Sequence, residues 1–114
     1  MSVRLEKINA MLLKEISSIV RLELKDPHVG FVTISEVKVT NDLSYAKVYV
    51  SFLGKEERNA AGLKSLDRAK GFIRSELAKR IKLRKVPELT FVLDKSLENA
   101  KRIEDIIERV KKEA

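Results

Sequence analysis

The chain has 114 residues, which suits a single domain spanning 1–114, and 44% of them are hydrophobic, enough for a packed core rather than a disordered chain. It holds no Cys and one His, which excludes disulfide staples, thiolate metal sites and thiol nucleophiles. The net charge is +7, and residues 58–85 carry ten Lys or Arg against two acids, Asp67 and Glu76.

The remainder of the chain is nearly balanced, so the excess positive charge sits in one block. Such a block points to a polyanionic partner; a solvated lysine-rich surface, a membrane or an acidic protein are the other readings. Arg4, Glu6, Lys7, Lys14 and Glu15 interrupt any apolar leader, and no apolar run approaches the ~20 residues of a membrane span. A soluble, cytoplasmic protein is expected. The absence of Gln and the 36% of charged residues lean toward a heat-adapted source.

Residues 4–24 predict an amphipathic helix, because Leu5, Ile8, Leu12, Ile16, Ile19 and Val20 recur at three- and four-residue spacing. Ser2 is its expected N-cap, and Lys25-Asp26-Pro27 its stop, since proline disfavours helical geometry at the residue before it. Gly30 opens a strand in which Val32 and Ile34 share one parity while Val37 and Val39 share the other. That switch predicts a bulge near Ser35 or Glu36. Asn41-Asp42 marks a turn. A second strand over 45–53 alternates cleanly: Ala46, Val48, Val50 and Phe52 face one way, Tyr45, Lys47, Tyr49 and Ser51 the other.

After Gly54 the pattern turns helical from about Glu56 to Ile81, with Leu63, Leu66, Ile73, Leu77 and Ile81 as its apolar positions. Gly71 lies near the middle of this stretch, so a kink is expected at Ala69-Lys70-Gly71. Lys82 to Val86 is a basic connector. Pro87 and Glu88 introduce a third strand over 89–93, and Ser96 caps a last helix bearing Leu97, Ala100, Ile103, Ile107 and Val110. The order predicts an α+β fold: a three-stranded sheet with helices packed on one face.

Three blocks, KDPHVGFVTISEV, DLSYAKVYVSFL and AKGFIRSELAKRIKLRKVPELTFVLDKSL, cover most of Lys25 to Leu97. In that order and spacing the chain resembles the ribosome-binding factor A family. The resemblance implies a type II KH-like domain in which an Ala-X-Gly interruption, here Ala69-Lys70-Gly71, replaces the GXXG loop that clamps nucleic acid in ordinary KH domains. It also implies an assembly factor, not an enzyme, that binds the small ribosomal subunit and its rRNA late in maturation. Links to rRNA processing, cold adaptation and ribosome-assembly GTPases come with the resemblance, as does a cytoplasmic setting; a monomer is expected. The chain departs from the family in two places. It ends at Ala114 where some members carry a charged tail, and it has His28 where Arg is more usual, which weakens one phosphate contact at neutral pH.

The expected RNA-binding residues are Lys64, Arg68, Lys70, Gly71, Arg74, Lys79, Arg80, Lys82, Arg84 and Lys85. Five cations between Lys79 and Lys85 exceed what a helix C-terminus needs to complement its dipole. Gly71 either shapes the kink or bares the backbone to RNA, and Ala69 permits close packing there. Tyr45 and Tyr49 flank Lys47 on the non-core parity and could stack bases unless a helix covers them. No catalytic grouping, metal-ligand set, cofactor motif or phosphate-binding glycine loop is present. A KH-like reader of single-stranded nucleic acid and a small nuclease are the rival readings.

Overall fold

The computed structural model describes residues 3–22, 32–52, 57–83, 85–95 and 106–111. Ahead of a helical stretch at 106–111, the described residues form, in chain order, helix α1 (Val3–Leu22), strands β1 (Val32–Val39) and β2 (Tyr45–Phe52), helices α2 (Glu57–Arg68) and α3 (Lys70–Arg80), and strand β3 (Glu88–Leu93). The expected Ser2 cap, the Lys25-Asp26-Pro27 stop, Gly30, Gly54 and the Ser96 cap lie outside the described residues.

The sheet has the order β1-β2-β3, with β1 antiparallel and β3 parallel to β2. A parallel neighbour needs a crossover, and α2 with α3 supplies it. One sheet face carries Ile34, Val37, Ala46, Val48, Val50 and Leu89, all buried. Against it pack Ile8, Leu12, Ile16, Ile19 and Val20 of α1, Leu66 of α2, and Ile73, Leu77 and Ile81 at and beyond α3. The helices thus cover one face, and aliphatic side chains fill most of the core, as the low aromatic content requires. Leu12, Ile16 and Ile19 have no accessible surface; cutting any of them to Ala costs about 2–5 kcal/mol.

The parity switch in β1 is a bulge. Ile34 pairs with Val50 and Glu36 with Tyr49, so Ser35 is the extra residue. Its insertion lets Ile34 and Val37, three apart, both reach the core. The Ser35 hydroxyl sits 2.6 Å from Asp94 Oδ2 and 3.2 Å from the Tyr49 carbonyl, tying the bulge to the end of β3. On the open edge of β1, the Val39 N–H donates to Asn9 Oδ1 of α1 at 2.9 Å, satisfying a backbone donor that lacks a strand partner.

The β1–β2 turn places Leu43 at φ 60°, an uncommon conformation for a residue with a side chain. Asp42 organises it, with its carboxylate accepting from the Thr40 hydroxyl at 2.8 Å and from the Ser44 N–H and hydroxyl at 3.1 and 2.9 Å. These bonds hold its pKa down at about 2, from an ordinary 3.8.

Residues 106–111 are helical, as the apolar spacing predicts, but Ile107 and Val110 of the expected stripe are 49% and 61% exposed. They therefore do not join the core, and Leu97, Ala100 and Ile103 lie outside the described residues.

Candidate nucleic-acid interface

The basic block folds into α2, α3 and the connector to β3. The expected interruption is present, and it falls on Ala69. Its backbone (φ −84°, ψ −1°) separates the two helices. Ala69 itself bonds to both helices: its N–H donates to the Ser65 carbonyl at 3.0 Å, and Ile73 N–H donates to the Ala69 carbonyl at 2.9 Å. Ala69 packs against the core, where a small side chain fits. Gly71 has no positive φ, and a Cβ built on it meets nothing within 4 Å. Neither packing nor backbone strain within the protein demands glycine there.

Ser65, Leu66, Ile73 and Leu77 point inward. The opposite side exposes Lys64, Arg68, Gly71, Phe72, Ser75, Ala78 and Lys79, with Lys82 following in the connector. Lys64, Arg68 and Lys82 make no ion pair or hydrogen bond with other described residues, so their charge is available. Lys70 pairs with Asp67 at 2.8 Å and Lys79 with Glu76 at 3.2 Å. Both are i,i+3 pairs at the surface, worth at most about 1 kcal/mol and easily exchanged for a phosphate. The only two acids of the block are thus each held beside a lysine. Lys85 is exposed and only weakly engaged, 3.4 Å from the Ser44 hydroxyl. Arg84 lies outside the described residues.

Two arginines of the expected set have structural duties. Arg74 donates from Nε to the Pro87 carbonyl at 3.1 Å and from Nη2 to the Val86 carbonyl at 2.9 Å. Its planar fork thereby fixes the connector against α3 as the chain enters β3. Arg74 is therefore drawn away from Lys70 and toward the protein, although the two are four residues apart. Helix phase anticipates this: Arg74 is three residues before the buried Leu77 and seven before the buried Ile81, on the core-facing side. Arg80 Nη1 reaches Glu15 Oε2 at 3.5 Å and the Ser18 hydroxyl at 3.1 Å, joining α3 to α1.

The sheet face opposite α1, α2 and α3 exposes Thr33, Glu36, Lys38, Tyr45, Lys47 and Thr90. No described helix covers Tyr45, which is 57% exposed, while the Lys38 ammonium lies 5.6 Å from the centre of the Tyr49 ring. Tyr49 is thus already partnered by a cation within the protein. His28 lies outside the described residues. Among the described residues no three His, Cys, Asp or Glu side chains gather as metal ligands, and no helix is long and apolar enough to cross a membrane.

Phe72 is absent from the residues expected on sequence grounds, which apart from Gly71 are all cations. The structure leaves it 45% exposed in the middle of the basic surface.

Comparison with known proteins shows the family. The family model for ribosome-binding factor A matches residues 4–107. A ribosome-binding factor A of Macrococcus caseolyticus is 50% identical over 107 residues, covering 94% of each chain. The solution structure of a Thermotoga maritima protein described as a ribosome-binding factor A superposes with a TM-score of 0.75 at 37% identity, covering 84% of this chain and 92% of that one. Thermus thermophilus ribosome-binding factor A, as fitted into the cryo-EM map of a 30S complex, gives a TM-score of 0.65 at 29% identity over 76% of this chain and 91% of that one. With its three-stranded sheet, one-sided helices and broken α2–α3 helix, the chain belongs to the ribosome-binding factor A family.

Proposed function

We propose that this protein binds the rRNA of the small ribosomal subunit through the exposed side of α2 and α3 and the basic connector, and assists late subunit maturation and rRNA processing. What carries this reading is the ridge of exposed cations, Lys64, Arg68 and Lys82, which pair with no other described residue, reinforced by Lys70, Lys79 and Lys85, with both local acids already engaged. A relative fitted into a 30S complex supports the same partner. Phosphate contacts supply affinity and position, so the surface recognises folded RNA by charge and shape. Binding that favours one rRNA arrangement shifts its population without any chemical step. The protein acts as a cytoplasmic monomer with no cofactor, in concert with assembly GTPases and most visibly in the cold.

The test is the triple variant Lys64→Ala, Arg68→Ala, Lys82→Ala. All three side chains are exposed, so stability should change little. Affinity for small subunits should fall, and the slope of log K against log salt should flatten by up to about 0.9 per lost phosphate contact. A folded triple variant with unchanged affinity and slope rules the ridge out. Tight binding to short single-stranded oligomers, with none to free subunits, would favour a single-strand reader using the open sheet face.

A further inference from the structure

Phe72 and Gly71 are adjacent exposed residues near the start of α3, and local physics favours neither. Phe52 and Phe91 pack against the core, whereas Phe72 is 45% exposed. Phe is also a poorer helix former than the Leu, Lys or Glu that an exposed helix position would otherwise take. Gly71 is worse still, and nothing lies within 4 Å of where its Cβ would be. Positions that break local rules are where function is expected.

The surroundings define what fits. Arg68 is four residues before Phe72, across the break at Ala69, and both are exposed. Ser75 lies three residues after it, on the same side and exposed. The exposed neighbours of the ring along the chain are therefore a bare glycine backbone, a small hydroxyl and a guanidinium that pairs with no other described residue. A flat apolar object laid beside the ring would meet no side chain at Gly71, and a phosphate attached to it would find a nearby cation in Arg68. A nucleotide has that combination of parts. An apolar protein side chain would use the ring but leave the guanidinium without a role.

We infer that Phe72 is a base-stacking residue: an unstacked nucleobase of the small-subunit rRNA lies on its ring beside Gly71, with its phosphate held by Arg68. The inference rests on the RNA-binding reading above and assigns that site a base contact in addition to its phosphate contacts. Stacking of this kind tolerates any base, so it adds affinity and register rather than sequence choice.

The chain contains no Trp, so Phe72→Trp introduces a single fluorescent reporter that can still stack. Naked small-subunit rRNA is the probe. Phe72→Trp should bind about as tightly as the unsubstituted chain, and its emission should be quenched on binding. Phe72→Ala should bind roughly 5- to 100-fold more weakly, with the salt slope unchanged, because no phosphate contact is lost. Phe72→Leu keeps apolar bulk without a π face and should bind nearly as weakly as Phe72→Ala. Thermal melts of all variants confirm folding. If the unsubstituted chain fails to bind the rRNA, the RNA-binding reading falls and takes this inference with it. If it binds and Phe72→Ala binds equally well, or the Trp emission is unmoved at saturation, the stacking role alone is overturned. Full binding by Phe72→Leu, or loss confined to complete subunits and absent on naked rRNA, would assign the ring to a protein partner instead.

Discussion

The ring of Phe52, at the end of β2, occupies the space into which any side chain at position 62 of α2 would project. A Cβ built on Gly62 falls 2.6 Å from Phe52 Cζ and 2.8 Å from Cδ1. Real Cβ atoms do not approach carbon this closely. Because several atoms of one rigid ring are involved, the ring must move as a unit. The glycine that the sheet-to-helix packing requires is therefore Gly62, while Gly71 is unconstrained from within.

Gly62→Ala should destabilise the protein by about 1–2 kcal/mol. Overpacking costs about 1–3 kcal/mol, offset by up to about 1 kcal/mol of improved helix propensity. Denaturant unfolding measures the change. Phe52→Leu should recover part of the loss in the double variant, because removing the ring removes the clash; additive losses would show that the two residues are uncoupled.

Gly71→Ala should have the opposite sign. With open space around the added methyl, the variant should be more stable by about 0.5–1 kcal/mol, through helix propensity and a less flexible unfolded chain. Affinity for small-subunit RNA should nonetheless drop, because the methyl stands on the surface beside Phe72. A variant that gains stability and keeps full affinity would show that nothing approaches this backbone.

The contrast between the two glycines marks how much the sequence reveals. The β1 bulge is legible because Ile34 and Val37 break a period of two, a signal contained within one strand. The break at Ala69 is legible from the Gly two residues on, although that Gly is not what causes it. Gly62 is illegible because its requirement comes from Phe52 on another element. Arg74 belongs to the basic run by charge and to the core side by helix phase, and counting charges hides the second property. Phe72 is passed over for another reason, since it carries no charge and lies off the apolar spacing of Ile73 and Leu77. Charge and periodicity locate the surface; only the packed structure shows which members of the run are committed to the fold.

Arg74 should behave as a structural residue. Arg74→Ala leaves the Val86 and Pro87 carbonyls without their charged donor, a loss of about 1.5–3 kcal/mol for bonds of this type. Arg74→Lys should recover little, since an ammonium cannot reproduce the two-pronged geometry. Lys64→Ala should leave stability within about 0.5 kcal/mol of the unsubstituted chain. Equal stability of Arg74→Ala and Lys64→Ala in urea would contradict the assignment.

The turn between β1 and β2 should carry an acid-sensitive contribution. The Asp42 carboxylate accepts from the Thr40 hydroxyl and from the Ser44 N–H and hydroxyl, and these bonds favour its charged form. Its pKa is lowered from 3.8 to about 2, so the folded state holds this proton less tightly than the unfolded chain. The resulting stabilisation is fully present above the unfolded value and is lost as pH falls through the folded one. The same bonds hold Leu43 in its φ 60° conformation and lead into Tyr45 at the start of the central strand, so their loss loosens the hairpin at its tip. Asp42→Asn should therefore be less stable than the unsubstituted chain near neutral pH. That difference should stay constant down to about pH 5, then shrink progressively toward pH 2 as Asp42 itself becomes neutral. NMR titration of the Asp42 carboxyl should give a midpoint well below that of a free aspartate. A stability difference independent of pH across that window would mean that the turn depends on the shape of the side chain and not on its charge.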